Sequence, residues 1–247
     1  MKQPRILKKS LRNYKVARHR PKIWILPEAD IGYVKITKVA SSSVELALAR
    51  HVSGQDTGKE PTELSKKDIR QCADQYAIHA DLKDLSSDTR PQFLFSIVRN
   101  PLARLHSSYV NKIEDVRNAG GKENIFWNHD IRLDMSFEEF IERLIEIPDH
   151  KIDRHLRSQA SILCDGDKLL VDYIGHFENL NEDWQHIADQ YGLPLLPHKN
   201  KSSKTTAPNQ ASPYTKKTAL LVADRFKQDI NALGYADDVQ QMIEQLH

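Results

Sequence analysis

Ile31-Gly32-Tyr33-Val34-Lys35-Ile36-Thr37-Lys38-Val39-Ala40-Ser41-Ser42-Ser43-Val44-Glu45-Leu46-Ala47-Leu48-Ala49-Arg50 passes from a β-rich run, through a polar loop, into a strongly helix-forming segment. Its serines suit a helix N-cap, so the stretch predicts strand, loop and helix. The pattern recurs. Phe93-Leu94-Phe95-Ser96-Ile97-Val98 is almost continuously apolar, as expected of a strand buried on both faces. Arg99-Asn100-Pro101 breaks it, and Pro101 stands at the first turn of a helix running through Leu105, Tyr109 and Ile113. Strands alternating with helices predict an α/β fold, a three-layer sandwich whose central, mainly parallel sheet is flanked by helices.

The remaining segments extend this frame. Ile23-Trp24-Ile25-Leu26 reads as a strand, separated from the one at Ile31 by a turn, Pro27-Glu28-Ala29-Asp30. Helices are predicted from Ser65 to Tyr76, with Ser65 as cap and Asp68 in the first turn, and from Phe137 to Ile145 after Ser136. Two more run from Leu180 to Tyr191, stopped by Gly192, and from Thr215 to Leu233, stopped by Gly234. Leu169 to Ile174 reads as another strand, and Pro197 to Pro213 as an exposed loop. One domain, residues 23–247, is expected behind a basic segment, residues 1–22.

Composition narrows the function classes. With 247 residues and 39% hydrophobic content the chain can bury a substantial core, and no run approaches the roughly 20 apolar residues that cross a bilayer. Cys72 and Cys164 are isolated, neither belonging to a C-x-x-C pair, and the N-terminus is basic rather than apolar; a reducing, cytoplasmic setting is expected. Residues 1–22 carry nine Lys or Arg and no acid, which leaves 27 basic against 34 acidic residues in the rest. That segment reads as a solvated tail, as a strip attracting an anionic acceptor or membrane surface, or as part of the first strand region. The acidic body argues against nucleic acid.

Lys38-Val39-Ala40-Ser41-Ser42-Ser43 lies between a strand and a helix, where backbone N–H groups and the positive helix end favour an anion. The hydroxyls add donors and Lys38 a full charge. It is not a G-x-x-x-x-G-K-[ST] loop: glycine is missing and the lysine stands at the start, which disfavours Mg-nucleotide kinase chemistry. A plain serine-rich helix cap is the alternative. In Arg99-Asn100-Pro101-Leu102-Ala103-Arg104-Leu105-His106-Ser107-Ser108-Tyr109, Arg99 ends the strand and Ser107 sits two helical turns on, a guanidinium and a hydroxyl suited to a second phosphate.

These two motifs resemble those of the sulfotransferases that use 3′-phosphoadenosine 5′-phosphosulfate (PAPS), specifically the carbohydrate sulfotransferase group, sulfotransferase family 2. Lys38 to Ser43 is similar to the family's 5′-phosphosulfate loop, and Arg99 to Tyr109 to its 3′-phosphate motif. Tyr173-Ile174-Gly175-His176-Phe177-Glu178-Asn179-Leu180 resembles the strand and turn before a late helix, and Asp153-Arg154-His155 with Gln159 a further segment. Asn100 departs from the aspartate of many members, and the acceptor region between Asn111 and Lys151 carries no motif that can be placed. The resemblance implies a P-loop-type fold, PAPS as donor with 3′-phosphoadenosine 5′-phosphate (PAP) as product, and a hydroxyl acceptor, a glycan; with neither a Walker motif nor a metal-ligand cluster in the sequence, no metal is expected. It implies Lys38, Val39, Ala40, Ser41, Ser42, Ser43, Arg99 and Ser107 as cofactor-binding residues. A non-catalytic module that binds nucleotide or glycan is the rival from another class.

Transfer needs charge stabilisation on the leaving phosphate oxygen and removal of the acceptor proton. Lys38 is the candidate for the first, and a histidine for the second, because its pKa lies near working pH. His79 comes first, since the heparan 2-O-type enzymes carry a catalytic histidine at this place; His155 is the alternative base or an acceptor-binding residue. Lys201, with Lys199 and Lys204, is a candidate to close over the nucleotide phosphates. Trp127 and Phe126 are read either as sugar-stacking rings or as local core.

Overall fold

The computed structural model describes residues 20–54, 64–197 and 212–246. In chain order its elements are β1 (Lys22–Leu26), β2 (Ile31–Val34), α1 (Ser41–Val52), α2 (Lys66–Tyr76), β3 (Ala77–His79), β4 (Phe93–Val98), α3 (Pro101–Tyr109), α4 (Asp115–Asn118) and α5 (Phe137–Ile145). Then come α6 (Ala160–Leu163), β5 (Cys164–Asp165), β6 (Lys168–Leu169), β7 (Tyr173–His176), α7 (Leu180–Tyr191), α8 (Lys216–Arg225), α9 (Lys227–Ala232) and α10 (Ala236–Glu244). Contacts group them into two compact units. Of the described residues, a sheet unit draws on 20–36, 40–54, 64–97 and 162–197, and a helical unit on 37–39, 98–161 and 212–246.

In the sheet unit five strands run in the order β3-β1-β2-β4-β7. β2 and β4 are parallel, Tyr33 facing Phe95, with α1 and α2 in the crossover between them. β1 is antiparallel to both β2 and β3, so the sheet of this α/β fold is mixed. Its cause is local: the four residues from Pro27 to Asp30 can close a hairpin, whereas a parallel partner needs a long crossover. Trp24, Tyr33 and Phe95 form a cross-strand row on one face. Trp184 of α7 meets Phe95 edge-on at 6.2 Å. Glu45 of α1 accepts hydrogen bonds from Trp24 Nε1 (3.2 Å) and Lys22 Nζ (2.8 Å) and pairs with Lys35, pinning the helix to β1 and β2. At Gly175 in β7 a Cβ would lie 2.6 Å from Ile97 Cδ1, so only glycine lets these neighbours approach so closely.

Sequence signals and structure agree in detail at several helix ends. Ser65 and Asp68 form a reciprocal capping box on α2, Ser136 and Glu139 another on α5, and Gly192 ends α7 in the left-handed region. Two expectations are corrected. Leu169 to Ile174 is not one strand: Leu169 closes the β5–β6 hairpin, and β7 starts at Tyr173. Between them the Asp172 carboxylate accepts from the Leu94 amide (2.8 Å) and Arg90, while Leu170 O accepts from Arg90 Nη1 (2.8 Å), turning the chain out of strand geometry. The helix predicted from Thr215 to Leu233 is broken at Phe226, whose backbone (φ −110°, ψ 26°) leaves the helical region as its ring becomes buried.

In the helical unit α3, α5 and α8 pack through Tyr109, Phe137, Phe140 and Tyr214. The Tyr214 hydroxyl donates to Leu102 O (2.9 Å). After α3 the helix widens into a π-helical segment, Val110–Glu114. Among the described residues no helix is long and apolar enough to cross a membrane.

Candidate functional site

The loop after β2 is bent where a glycine loop would bend, but without glycine. Lys38 (φ 69°) and Ala40 (φ 60°) are left-handed, on either side of a buried Val39. Ala40 is the N-cap of α1 and accepts from the Ser43 and Val44 amides (2.8 and 3.2 Å). The expected serine cap is therefore corrected: alanine occupies the cap and has no side-chain acceptor. Ser41, Ser42 and Ser43 instead form the first turn of α1, where the Ser41 and Ser42 amides precede the first intrahelical hydrogen bond and the helix dipole is positive.

Within the helical unit, Arg99 and Arg104 both reach the backbone of Thr37–Val39. Arg99 Nη1 donates to Lys38 O at 3.3 Å. The Arg99 peptide is gripped by Gln159, whose Oε1 accepts from Arg99 N (3.0 Å) and whose Nε2 donates to Arg99 O (2.8 Å). Gln159 is fully buried and is held by Asp229, which accepts from the amides of Gln159 (2.9 Å) and Ala160 (2.8 Å) and from Ser158 Oγ. Arg104, buried, donates from Nε to Thr37 O and from Nη1 to Arg157 O, each at 2.9 Å. It is a clamp on backbone carbonyls. Desolvation lowers its pKa to about 10. Asn100 caps α3, accepting from the Leu102 amide at 3.0 Å; an amide oxygen caps as well as a carboxylate, which accounts for the departure noted above. Ser107 is half-buried further along α3.

Positive charge is concentrated here. The half-buried Lys38 ammonium has its pKa lowered to about 8, first by desolvation and then by Lys112, Arg99 and Arg104, against a smaller opposing pull from Asp115. Crowded cations and a left-handed loop are a donor set that fits a phosphosulfate, whose negative charge would relieve the repulsion. Lys112 was not anticipated. The signal was there: Arg104, Ser108 and Lys112 recur at the four-residue spacing that brings side chains to one helix face.

His155 also belongs to this unit. Its Nδ1 lies 2.6 Å from Asp153 Oδ1, which accepts the His155 amide as well (2.8 Å), and its carbonyl accepts from Ser108 Oγ (3.1 Å). With Nδ1–H donating to the carboxylate, Nε2 keeps the lone pair. Burial lowers the His155 pKa, Asp153 pulls it upward, and Lys112 and Arg154 lower it further; the net position is below the ordinary histidine value. Burial opposes the charge on Asp153 too, yet the hydrogen bonds from His155 hold its carboxyl below its usual range.

His79 lies in the sheet unit, exposed at the end of β3, its Nδ1 3.5 Å from Arg20 O. His106 packs edge-on against Phe137, and the turn after β7 is anchored by Asp183, which accepts from the His176 amide (2.6 Å) and the Tyr173 hydroxyl (2.8 Å). Lys201, Lys199 and Lys204 lie outside the described residues, as does the basic segment up to residue 19. The helical unit therefore brings together Lys38, Arg99 and, through the shared field of Lys112, His155.

Comparison with known proteins gives two matches. The sequence model of the family described as "Sulfotransferase family" matches residues 21–244. Carbohydrate sulfotransferase 14 of Danio rerio is 29% identical over 178 residues, covering 66% of this chain and 46% of that protein. The chain thus spans less than half the length of this curated relative. No solved structure matches significantly.

Proposed function

The chain belongs to the sulfotransferase family, and from that premise we propose that it transfers a sulfuryl group from PAPS to a hydroxyl of a carbohydrate. The observation that carries this reading is the cationic cluster around Lys38, whose own charge is disfavoured first by burial and then by its cationic neighbours, Lys112 foremost. When bound, PAPS supplies a sulfuryl group attached to a phosphate leaving group. Lys38 and the first-turn amides of α1 hold the 5′ side and meet the charge that appears on the leaving oxygen. Arg99, its peptide fixed by Gln159, and Ser107 hold the 3′-phosphate.

We assign proton removal to His155. The Asp153 carboxylate orients the ring and stabilises the imidazolium that forms, while burial keeps the ring neutral at pH 7, ready to accept the hydroxyl proton at Nε2. The resemblance favours His79 instead, and the two assignments predict different mutants. His155→Ala should lower kcat by about 10² to 10⁴ with PAP affinity unchanged, and His79→Ala should leave turnover near wild type. Steady-state kinetics with PAPS and a glycan panel, plus PAP calorimetry on each variant, decide between them; the reverse pattern transfers the role to His79. Loss of PAP binding by neither Lys38→Ala nor Arg99→Ala would overturn the donor site itself.

A further inference from the structure

Phe126 and Trp127 are adjacent in sequence, but the structure divides them. Phe126 is fully buried, its ring edge-on to that of His155 at 6.3 Å, whereas Trp127 is 66% exposed. Trp127 starts a 3₁₀ turn, Trp127–His129, that is rigidly held. Buried Asn124 accepts from the Phe126 amide (2.6 Å) and donates to Ile131 O (2.9 Å), closing the base of the turn. From α5, Arg143 donates through Nε to His129 O (2.9 Å) and through Nη2 to Asp130 (3.0 Å). A large ring left in water on a braced support is not explained by packing. Beside it opens a shallow cavity of about 460 Å³, lined by Trp127, Ile131 and Leu133 together with polar and charged side chains, within the size range of small-molecule sites but more polar than most, as suits a ligand rich in hydroxyls.

We infer that this cavity is a subsite for a neutral pyranose unit of the acceptor, stacked on Trp127; the inference rests on the transferase reading above. The negative face of an indole attracts the polarised C–H groups on the flat side of a sugar ring, and the apolar contact excludes water. Polar groups around the rim, Asp130, Arg132 and Asp134 among them, face the hydroxyls. Charge decides between sugar classes. Glu123, Asp130 and Asp134 stand against Lys122 and Arg132 in the lining; Arg132 is paired with Asp134 at 3.1 Å and Asp130 with Arg143 at 3.0 Å, so the lining carries no surplus of positive charge. A polyanionic segment would find no surplus of positive charge to hold it here, whereas a neutral hexose or N-acetylhexosamine needs none. Phe126, the residue before Trp127, packs its ring against that of His155, so the turn that carries the subsite is anchored on the side chain proposed as base.

Intrinsic fluorescence gives a direct test, since Trp24 and Trp184 are buried and Trp127 is the exposed indole. The full chain is titrated with neutral gluco-, galacto-, N-acetylglucosamine and N-acetylgalactosamine trisaccharides, alongside sulfated and uronate-containing chains, and affinities are measured by calorimetry. A neutral member should blue-shift the emission, with affinity falling at least about tenfold in Trp127→Ala and largely recovered in Trp127→Phe. No binding by any neutral member, binding by the anionic chains alone, or equal binding by Trp127→Ala would overturn the subsite. PAP affinity is measured in parallel on the same variants and should not change. A wild-type protein that binds neutral glycan through Trp127 but not PAP would overturn the donor reading and leave the subsite standing.

Discussion

The position of Lys38 predicts a pH dependence that can be measured without knowing the acceptor. With a pKa near 8 in the free protein, Lys38 is roughly nine-tenths charged at pH 7 and about one-tenth charged at pH 9. PAP bound beside it favours the charged form, so the pKa rises on binding. The sign follows from linkage: above about pH 8 each binding event must take up a proton, and affinity falls about tenfold per pH unit. Calorimetry from pH 7 to 10 in two buffers of different ionisation enthalpy reads both effects. Lys38→Arg stays charged throughout and should flatten the profile. Lys112→Met removes the leading like charge and should move the break to higher pH, although desolvation, the larger cause, remains. A wild-type affinity that is flat to pH 10, or a break that survives in Lys38→Arg, would refute the argument that Lys38 is a strained cation at the anion site.

Arg99→Ala should weaken PAP at least tenfold, since a charge-assisted hydrogen bond contributes about 1.5 to 3 kcal/mol, and should leave AMP almost unaffected; equal losses for the two nucleotides in calorimetry would remove the 3′-phosphate assignment. Glu45→Gln leaves Lys22 and Lys35 half-buried without their countercharge, a change expected to cost about 3 kcal/mol in urea unfolding at pH 7. Burial raises the Glu45 pKa, but Lys35 and Lys22 outweigh it and the net value is lowered; its contribution is thus present above the unfolded carboxylate pKa and lost as pH falls through the lower folded one. The stability gap between wild type and Glu45→Gln should therefore close in acid, and a gap independent of pH would contradict the ion-pair account.

Much of the fold is written in local signals. Ser65 with Asp68, and Ser136 with Glu139, announce helix starts because both capping partners lie within four residues of each other. The shortness of Pro27–Asp30 carries the antiparallel β1–β2 hairpin, whereas the alternation of strands and helices elsewhere points to parallel neighbours. What local pattern cannot show is a partnership between distant residues. Asp172 interrupts a strand-like run because its carboxylate binds Arg90 and the Leu94 amide, both far away in sequence. Asp229 lies on the short helix α9, and only the folded chain brings it under Ser158, Gln159 and Ala160. Phe126 and Trp127 look equivalent in sequence; burial of one against His155 and exposure of the other exist only in three dimensions.

The same limit applies to the loop, and its resolution explains why two arginines follow β4. The motif from Lys38 to Ser43 was recognisable by composition, but the left-handed geometry of Lys38 and Ala40 was not, since neither residue favours it. For a non-glycine residue that conformation costs roughly 1 to 2 kcal/mol. Arg104 donates to Thr37 O and Arg99 to Lys38 O, and hydrogen bonds from charged donors contribute about 1.5 to 3 kcal/mol each, enough to offset the strain. These guanidiniums also lower the Lys38 pKa by repulsion. Holding the loop in its bent form and adding to the positive charge around Lys38 are therefore done by the same two arginines, although burial and Lys112 weigh more on the Lys38 pKa than either of them.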